Sequence, residues 1–183
     1  MRKRHLLLEF APTVALTLIG FFLLQALIVQ PFRVEQTSME TSFEPGEFVL
    51  VDKFTPRLTG FHRGDVVIFH PPESWPSSSD GTPYIKRVIG LPGETIEMVD
   101  GVVSVNGVQI EESYTYRDGG GSGDGESGRW VLGANELLVF GDHRSNSSDS
   151  RAYGPIPSTS VIGRAVLRYF PLDLLTIITP PTY

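Results

Sequence analysis

The chain has 183 residues, 40% of them hydrophobic, 20% charged and none cysteine. That length supports one core of moderate size, and the missing thiols exclude a disulfide framework, a thiolate metal site and a cysteine nucleophile. The formal charge of −6 is uneven: Arg2, Lys3, Arg4 and Arg33 outweigh Glu9 through residue 33, leaving 11 basic and 20 acidic side chains beyond it, a −9 surface that makes nucleic acid an unexpected partner.

From Phe10 to Val29 the sequence FAPTVALTLIGFFLLQALIV carries no charge for 20 residues, the length at which a helix crosses a hydrocarbon core of about 30 Å. Three basic residues precede it. Basic flanks stay on the cytoplasmic side, so residues 1–31 read as a cytoplasmic stub and single-pass anchor, and 32–183 as a domain outside the membrane. Leu24-Gln25-Ala26 offers a signal-peptide cleavage site and a buried soluble helix is a further alternative, but the apolar region of a signal peptide is usually only about 7 to 15 residues.

Beyond the anchor the pattern is β. Gly46 to Lys53, Gly64 to Phe69 and Tyr84 to Ile89 are short β-branched runs bounded by turn residues. In Leu91-Pro92-Gly93-Glu94 the proline and glycine suit the centre of a type II turn. Thr95 to Val99, Val102 to Val105 and Val108 to Ile110 are joined by Asp100-Gly101 and Asn106-Gly107, dipeptides that favour type I′ hairpins. Pro71 to Pro83 reads as a loop, and a glycine-rich loop near 117–128 reads as mobile. Glu136 to Phe140 and Val161 to Tyr169 supply two late strands, while Leu172 to Ile178 is too short for a second span.

Chemistry has few candidates. The four histidines show no metal-ligand spacing, and only His143 lies in a polar cluster, beside Asp142. Lys86 interrupts an apolar strand; in an apolar pocket its amine loses hydration and becomes able to take a proton from a serine hydroxyl. Arg87 cannot do so, since guanidinium stays protonated. Alternation puts the two on opposite faces, both apolar, so spacing leaves open which one turns inward. Ser38 follows the anchor closely enough to be tethered at the membrane surface. On the residues alone a strand lysine is more often a snorkelling surface residue, and Gly141 to Arg151 a solvated turn.

Taken together, Ser38-Met39, GEFVLVDKF (46–54), RGDVVIF (63–69), YIKRVIGLPGE (84–94) and GDHRSNSSDSR (141–151) resemble bacterial type I signal peptidases, in that family's order and over nearly the whole chain. The resemblance implies a mainly β fold, a two-lobed antiparallel β-sheet catalytic domain preceded by one N-terminal transmembrane helix. It implies Ser38 as nucleophile and Lys86 as general base, with Ser147 orienting the amine and Asp142, Arg144, Asp149 and Arg151 bracing the site. It implies no cofactor, and as partners exported preproteins and membrane lipid; the oligomeric state is not legible.

Three positions depart from the family pattern. Gln36 stands where Ser or Gly is common and where a serine hydroxyl completes the oxyanion hole. Thr41 replaces the usual proline, and His143 the usual asparagine. A catalytically impaired relative that binds preproteins is therefore one alternative, and a Ser-His-Asp hydrolase using His143 and Asp142 another. Phe32, Phe43 and Trp75 are aromatic candidates for either the membrane interface or the core.

Overall fold

The computed structural model describes residues 2–75, 81–119 and 126–183 and, of the first helix, the side chains of residues 10–23 and 27. The side chains of Arg2, Lys3 and Arg4, the Leu24-Gln25-Ala26 tripeptide and the glycine run 120–125 lie outside the described residues. Helix α1 covers Arg2–Leu27. Among the described residues no helix is long and apolar enough to cross a membrane.

The expected span runs two residues too far. Val29 opens strand β1 (Val29–Arg33), which pairs antiparallel with β2 (Phe48–Asp52), because its backbone groups find ladder partners there instead of continuing the helix. The division at 31/32 therefore falls inside a strand.

Among the described residues the strands form two antiparallel sheets. The larger runs β1-β2-β11-β3-β4-β9-β10, with β12 (Thr176–Ile177) also on β11; here β3 is Val66–Phe69, β4 Tyr84–Gly90, β9 Glu136–Phe140, β10 Ile156–Pro157 and β11 Val161–Phe170. The smaller runs β7-β6-β5-β8, from Thr95–Val99 (β5), Val102–Val105 (β6), Val108–Gln109 (β7) and Gly128–Val131 (β8). Asp100, Gly101, Asn106 and Gly107 all have positive φ, the backbone a type I′ hairpin requires, as their dipeptides foretold. Gly93 at φ 80° completes the turn after β4.

Four pieces escaped the sequence reading: β1, β8, β10 and β12 are two to five residues long, too short for alternation to register. Helices α2 (Thr55–Thr59) and α3 (Ser150–Tyr153) are equally brief.

Three apolar clusters hold the sheets. The first packs Met39 and Phe43 on Val49, Val51, Ile68 and Ile85; the second packs Trp75 on Phe69, Tyr84 and Val139; the third joins the small sheet to β9 through Ile96, Met98, Leu138 and Phe140. Phe43 and Trp75 are thus core residues and not interface anchors, since their rings gain more from close packing than from a surface position. Phe32 packs half-buried against the first cluster. At Gly90 any side chain would run into Ile96 and Leu132, so glycine lets the small sheet close onto the large one.

Candidate active site

Strand β4 carries both candidate cations. Its seven residues are all buried, because the sheet is covered on both faces, and so Lys86 and Arg87 are both inside. Each takes a different partner. Lys86 Nζ is hydrogen-bonded to Ser38 Oγ, donates to the Ile85 carbonyl at 3.1 Å and stands 5.3 Å from the centre of the Tyr84 ring. Arg87 reaches the other way, donating through Nε and Nη2 to both oxygens of Asp142 at 2.9 and 2.5 Å.

Ser38 sits in a tight turn where the amide of Glu40 donates to the Thr37 carbonyl and that of Phe43 to the Met39 carbonyl. Met39, fully buried, fastens this turn to the core, a burial worth about 2 kcal/mol. Thr41 takes φ 70°, a left-handed conformation that strains a β-branched residue. The segment after β9 closes over the turn from the far side. The His143 amide donates to the Ser38 carbonyl at 3.1 Å, and Asn146 Nδ2 donates to Thr37 Oγ1 at 2.9 Å. Between them Gly141 passes so close to the Ser38 carbonyl and Ser147 Oγ that a Cβ there has no room.

The braces are ion pairs. Arg144 forks onto Glu112 at 2.9 and 2.5 Å and donates through Nε to the Gly141 carbonyl. Arg151 binds Asp149 through Nε and Nη2, reaches Glu126 through Nη1 at 2.6 Å, and donates to the Arg144 carbonyl. Asp149 also accepts from the Gly141 amide, tying the loop to its own start. Burial works to raise the Asp149 carboxyl, but the bonds from Arg151 and Gly141 override it and hold it below the usual carboxylate range. Glu112 and Glu126 had no signal in the sequence, since each lies 25 or more residues from its arginine.

Ser147 Oγ is sealed from solvent, makes no hydrogen bond of ordinary geometry, and lies close enough to Asp149 to help hold that carboxyl down. It lines the Ser38 cleft without bonding the Lys86 amine. Gln36 lines that cleft too, an opening of about 350 Å³ bordered also by Tyr84, Asn146 and Ser148, and it reaches the neighbouring hollow beside Pro83 and Ile85. His143 turns away from the serine. Its Nδ1 is 2.9 Å from Glu40, its Nε2 is 3.0 Å from Asp118, and Asp142 belongs to Arg87. A Ser-His-Asp arrangement is therefore not formed, because both imidazole nitrogens are occupied elsewhere.

Burial is what makes Lys86 unusual. Dehydration pushes its amine down to about 8; Asp149 and Asp142 pull the other way, and Arg151 adds to the lowering. At pH 7 about one amine in ten is then neutral, against fewer than about one in a thousand for a free lysine. Both carboxylates are already bonded to arginines, and their upward pull on the amine is outweighed by its dehydration. Among the described residues no group of His, Asp and Glu could hold a metal ion.

A dehydrated amine resting on a serine hydroxyl in an open cleft is an arrangement able to activate that hydroxyl as a nucleophile. The family model described as "Signal peptidase, peptidase S26" matches residues 7–170. The chain is 34% identical over 179 residues to a signal peptidase I of Leptolyngbya laminosa, covering 96% of this chain and 85% of that protein. It is 32% identical to signal peptidase I P of Bacillus subtilis subsp. natto, with 94% of each covered. A solved signal peptidase I of Enterococcus faecalis aligns at 27% identity and TM-score 0.45, covering 57% of this chain and 95% of that one. The chain belongs to the signal peptidase family, peptidase S26.

Proposed function

We propose that this protein is a membrane-anchored endopeptidase that removes N-terminal signal peptides from exported preproteins, with Ser38 as nucleophile and Lys86 as general base. The observation that carries the reading is the buried Lys86 amine resting on Ser38 Oγ at the wall of an open cleft. The neutral amine takes the hydroxyl proton as Oγ attacks the scissile carbonyl, and then returns it to the leaving amine. Water repeats the cycle on the acyl ester, with Lys86 again the base. The Ser38 amide supplies one donor to the developing oxyanion, a contribution of about 3 kcal/mol, and the Gln36 side-chain amide is the candidate for the second. Ser147, on the same wall, is the hydroxyl to orient the amine when substrate fills the cleft.

Anchoring by α1 is supported by the uncharged run 10–29 and by the described apolar side chains of the helix, with Phe10, Leu16 and Phe22 each more than 60% exposed and packed against no core. The basic residues that precede it in the sequence support a cytoplasmic N-terminus with the sheets outside. A nucleophile eleven residues beyond Leu27 then shares the plane of a precursor still held by its own apolar segment, which turns a three-dimensional search into a lateral one.

Cleavage of a purified preprotein in detergent tests the chemistry. Because Lys86 must be neutral to act, the rate is expected to climb about tenfold per pH unit from mildly acidic buffer and to level off above about 8; a flat profile contradicts the base. His143→Ala is expected to keep activity within about tenfold of native, since Glu40 and Asp118 can rehydrate at their exposed edges; a far larger loss would bring the imidazole back into the mechanism. Retention of the native chain in membranes washed with alkaline carbonate tests the anchor.

A further inference from the structure

Away from the cleft, the stretch Lys53–Arg63 holds Lys53, Arg57, His62 and Arg63 and not one acid, although the chain beyond residue 33 is strongly acidic. It lies where the first helix leaves off. The Lys53 amide donates to the Ile28 carbonyl at 2.8 Å, one residue past the end of α1, and Lys53 Nζ approaches Gln30 at 3.5 Å. Helix α2 follows at once, started by the amides of Phe54 and Thr55 on the Asp52 carboxylate and stopped by Gly60. That carboxylate also faces Arg164 at 3.9 Å.

Phe54 at the N-cap and Leu58 within the helix face outward, while Pro56 is buried. Phe54 is 49% and Leu58 70% exposed, beside the exposed Arg57. The same segment borders a groove of about 520 Å³ whose lining includes Lys53, Arg57, Phe61, Leu137, Val161 and Ile162. Two cations and four apolar side chains in one groove, with an exposed Phe and Leu on the same segment, match a molecule with an anionic head and a hydrocarbon body.

We propose that this groove is a binding site for the phosphodiester headgroup of an anionic phospholipid, with Lys53 and Arg57 on the phosphate and Phe54 and Leu58 among the acyl chains. The proposal rests on α1 being the anchor, because it is the anchor's exit that brings the groove to a bilayer. Its role is orientation. A domain held by one helix can tilt freely, whereas a second attachment beside the exit fixes which face meets the lipid.

The chain lacks cysteine, so Leu58→Cys gives one site for a polarity-sensitive fluorophore. Labelled full-length protein is reconstituted in phosphatidylcholine vesicles and in vesicles with increasing phosphatidylglycerol. Emission is expected to shift to shorter wavelength as phosphatidylglycerol rises. Lys53→Gln with Arg57→Gln should raise the half-effect concentration about 25-fold, since each cation near an anionic surface is worth about fivefold. The double variant should still cleave a preprotein in detergent at the native rate, which shows that it is folded. Equal emission in both lipids, a shift kept by the double variant, or the same shift with soluble glycerophosphate would each overturn the site. Carbonate extraction is read separately: a chain released by carbonate fails the anchor, whereas a retained chain with lipid-independent emission fails only the groove.

Discussion

Substituting alanine for Lys86 or for Ser38 is expected to lower the rate of preprotein cleavage by about 10⁴-fold or more, to the background of the assay. The two losses are expected to be equal and not additive, because the amine and the hydroxyl act as one unit: without the base the alcohol keeps its proton, and without the alcohol the base has nothing to activate. Folding survives both changes. The carboxylates nearest the amine are bonded to Arg87 and Arg151, so removing the amine strands no buried charge. Ser38 itself is tied into its turn through its backbone carbonyl, which alanine retains. Initial rates in detergent, with melting curves as the control for folding, decide the matter. A Lys86→Ala protein within about 100-fold of native activity would reject the lysine as base.

The second large effect is on stability. Asp142→Ala leaves the Arg87 guanidinium buried with no counter-charge, where the pair's side chains are only 7% and 1% exposed. Breaking such a pair from one side costs about 3 to 5 kcal/mol, which corresponds to a fall in melting temperature of about 10 °C in a chain of this size. Replacing both partners together, Arg87→Met with Asp142→Leu, is expected to recover much of that loss, since the penalty comes from the orphaned charge and not from the absence of the bond. The exposed pair Arg129 and Glu97, 67% and 43% open to solvent, provides the contrast: Glu97→Ala should change stability by less than about 0.5 kcal/mol. Similar losses at the two sites, measured by thermal unfolding, would mean that the Arg87 pair is not desolvated as described.

These two expectations stand on different kinds of legibility. The hairpins of the small sheet could be read directly, because Asp100-Gly101 and Asn106-Gly107 settle their turns through local backbone preference alone. The long runs of β-branched residues likewise marked β3, β4, β9 and β11, whose ends moved by only a few residues. Strand β1 starts on the last residue of the apolar run, and its pairing with β2 takes Val29 out of the expected helix. Strand β8 was hidden beside the glycine run, where local composition argues for a loop; it forms because β5 offers it an edge.

For the site, the sequence singled out Ser38, Lys86 and the arginine-rich segment through resemblance, while unaided chemistry left Lys86 and Arg87 equivalent. Both sit on one strand with apolar neighbours on either face, and the alternation of a strand states only that they point apart. The choice between them is made 48 residues away in one direction and 55 in the other, where the Ser38 turn packs on one side and Asp142 on the other. Sequence by itself therefore determined the principal strands, the hairpin turns and the kinds of group that could react. Tertiary structure alone decided which cation meets the hydroxyl, because hydration is lost only when distant segments close over the strand, and it is that loss which makes an amine into a base.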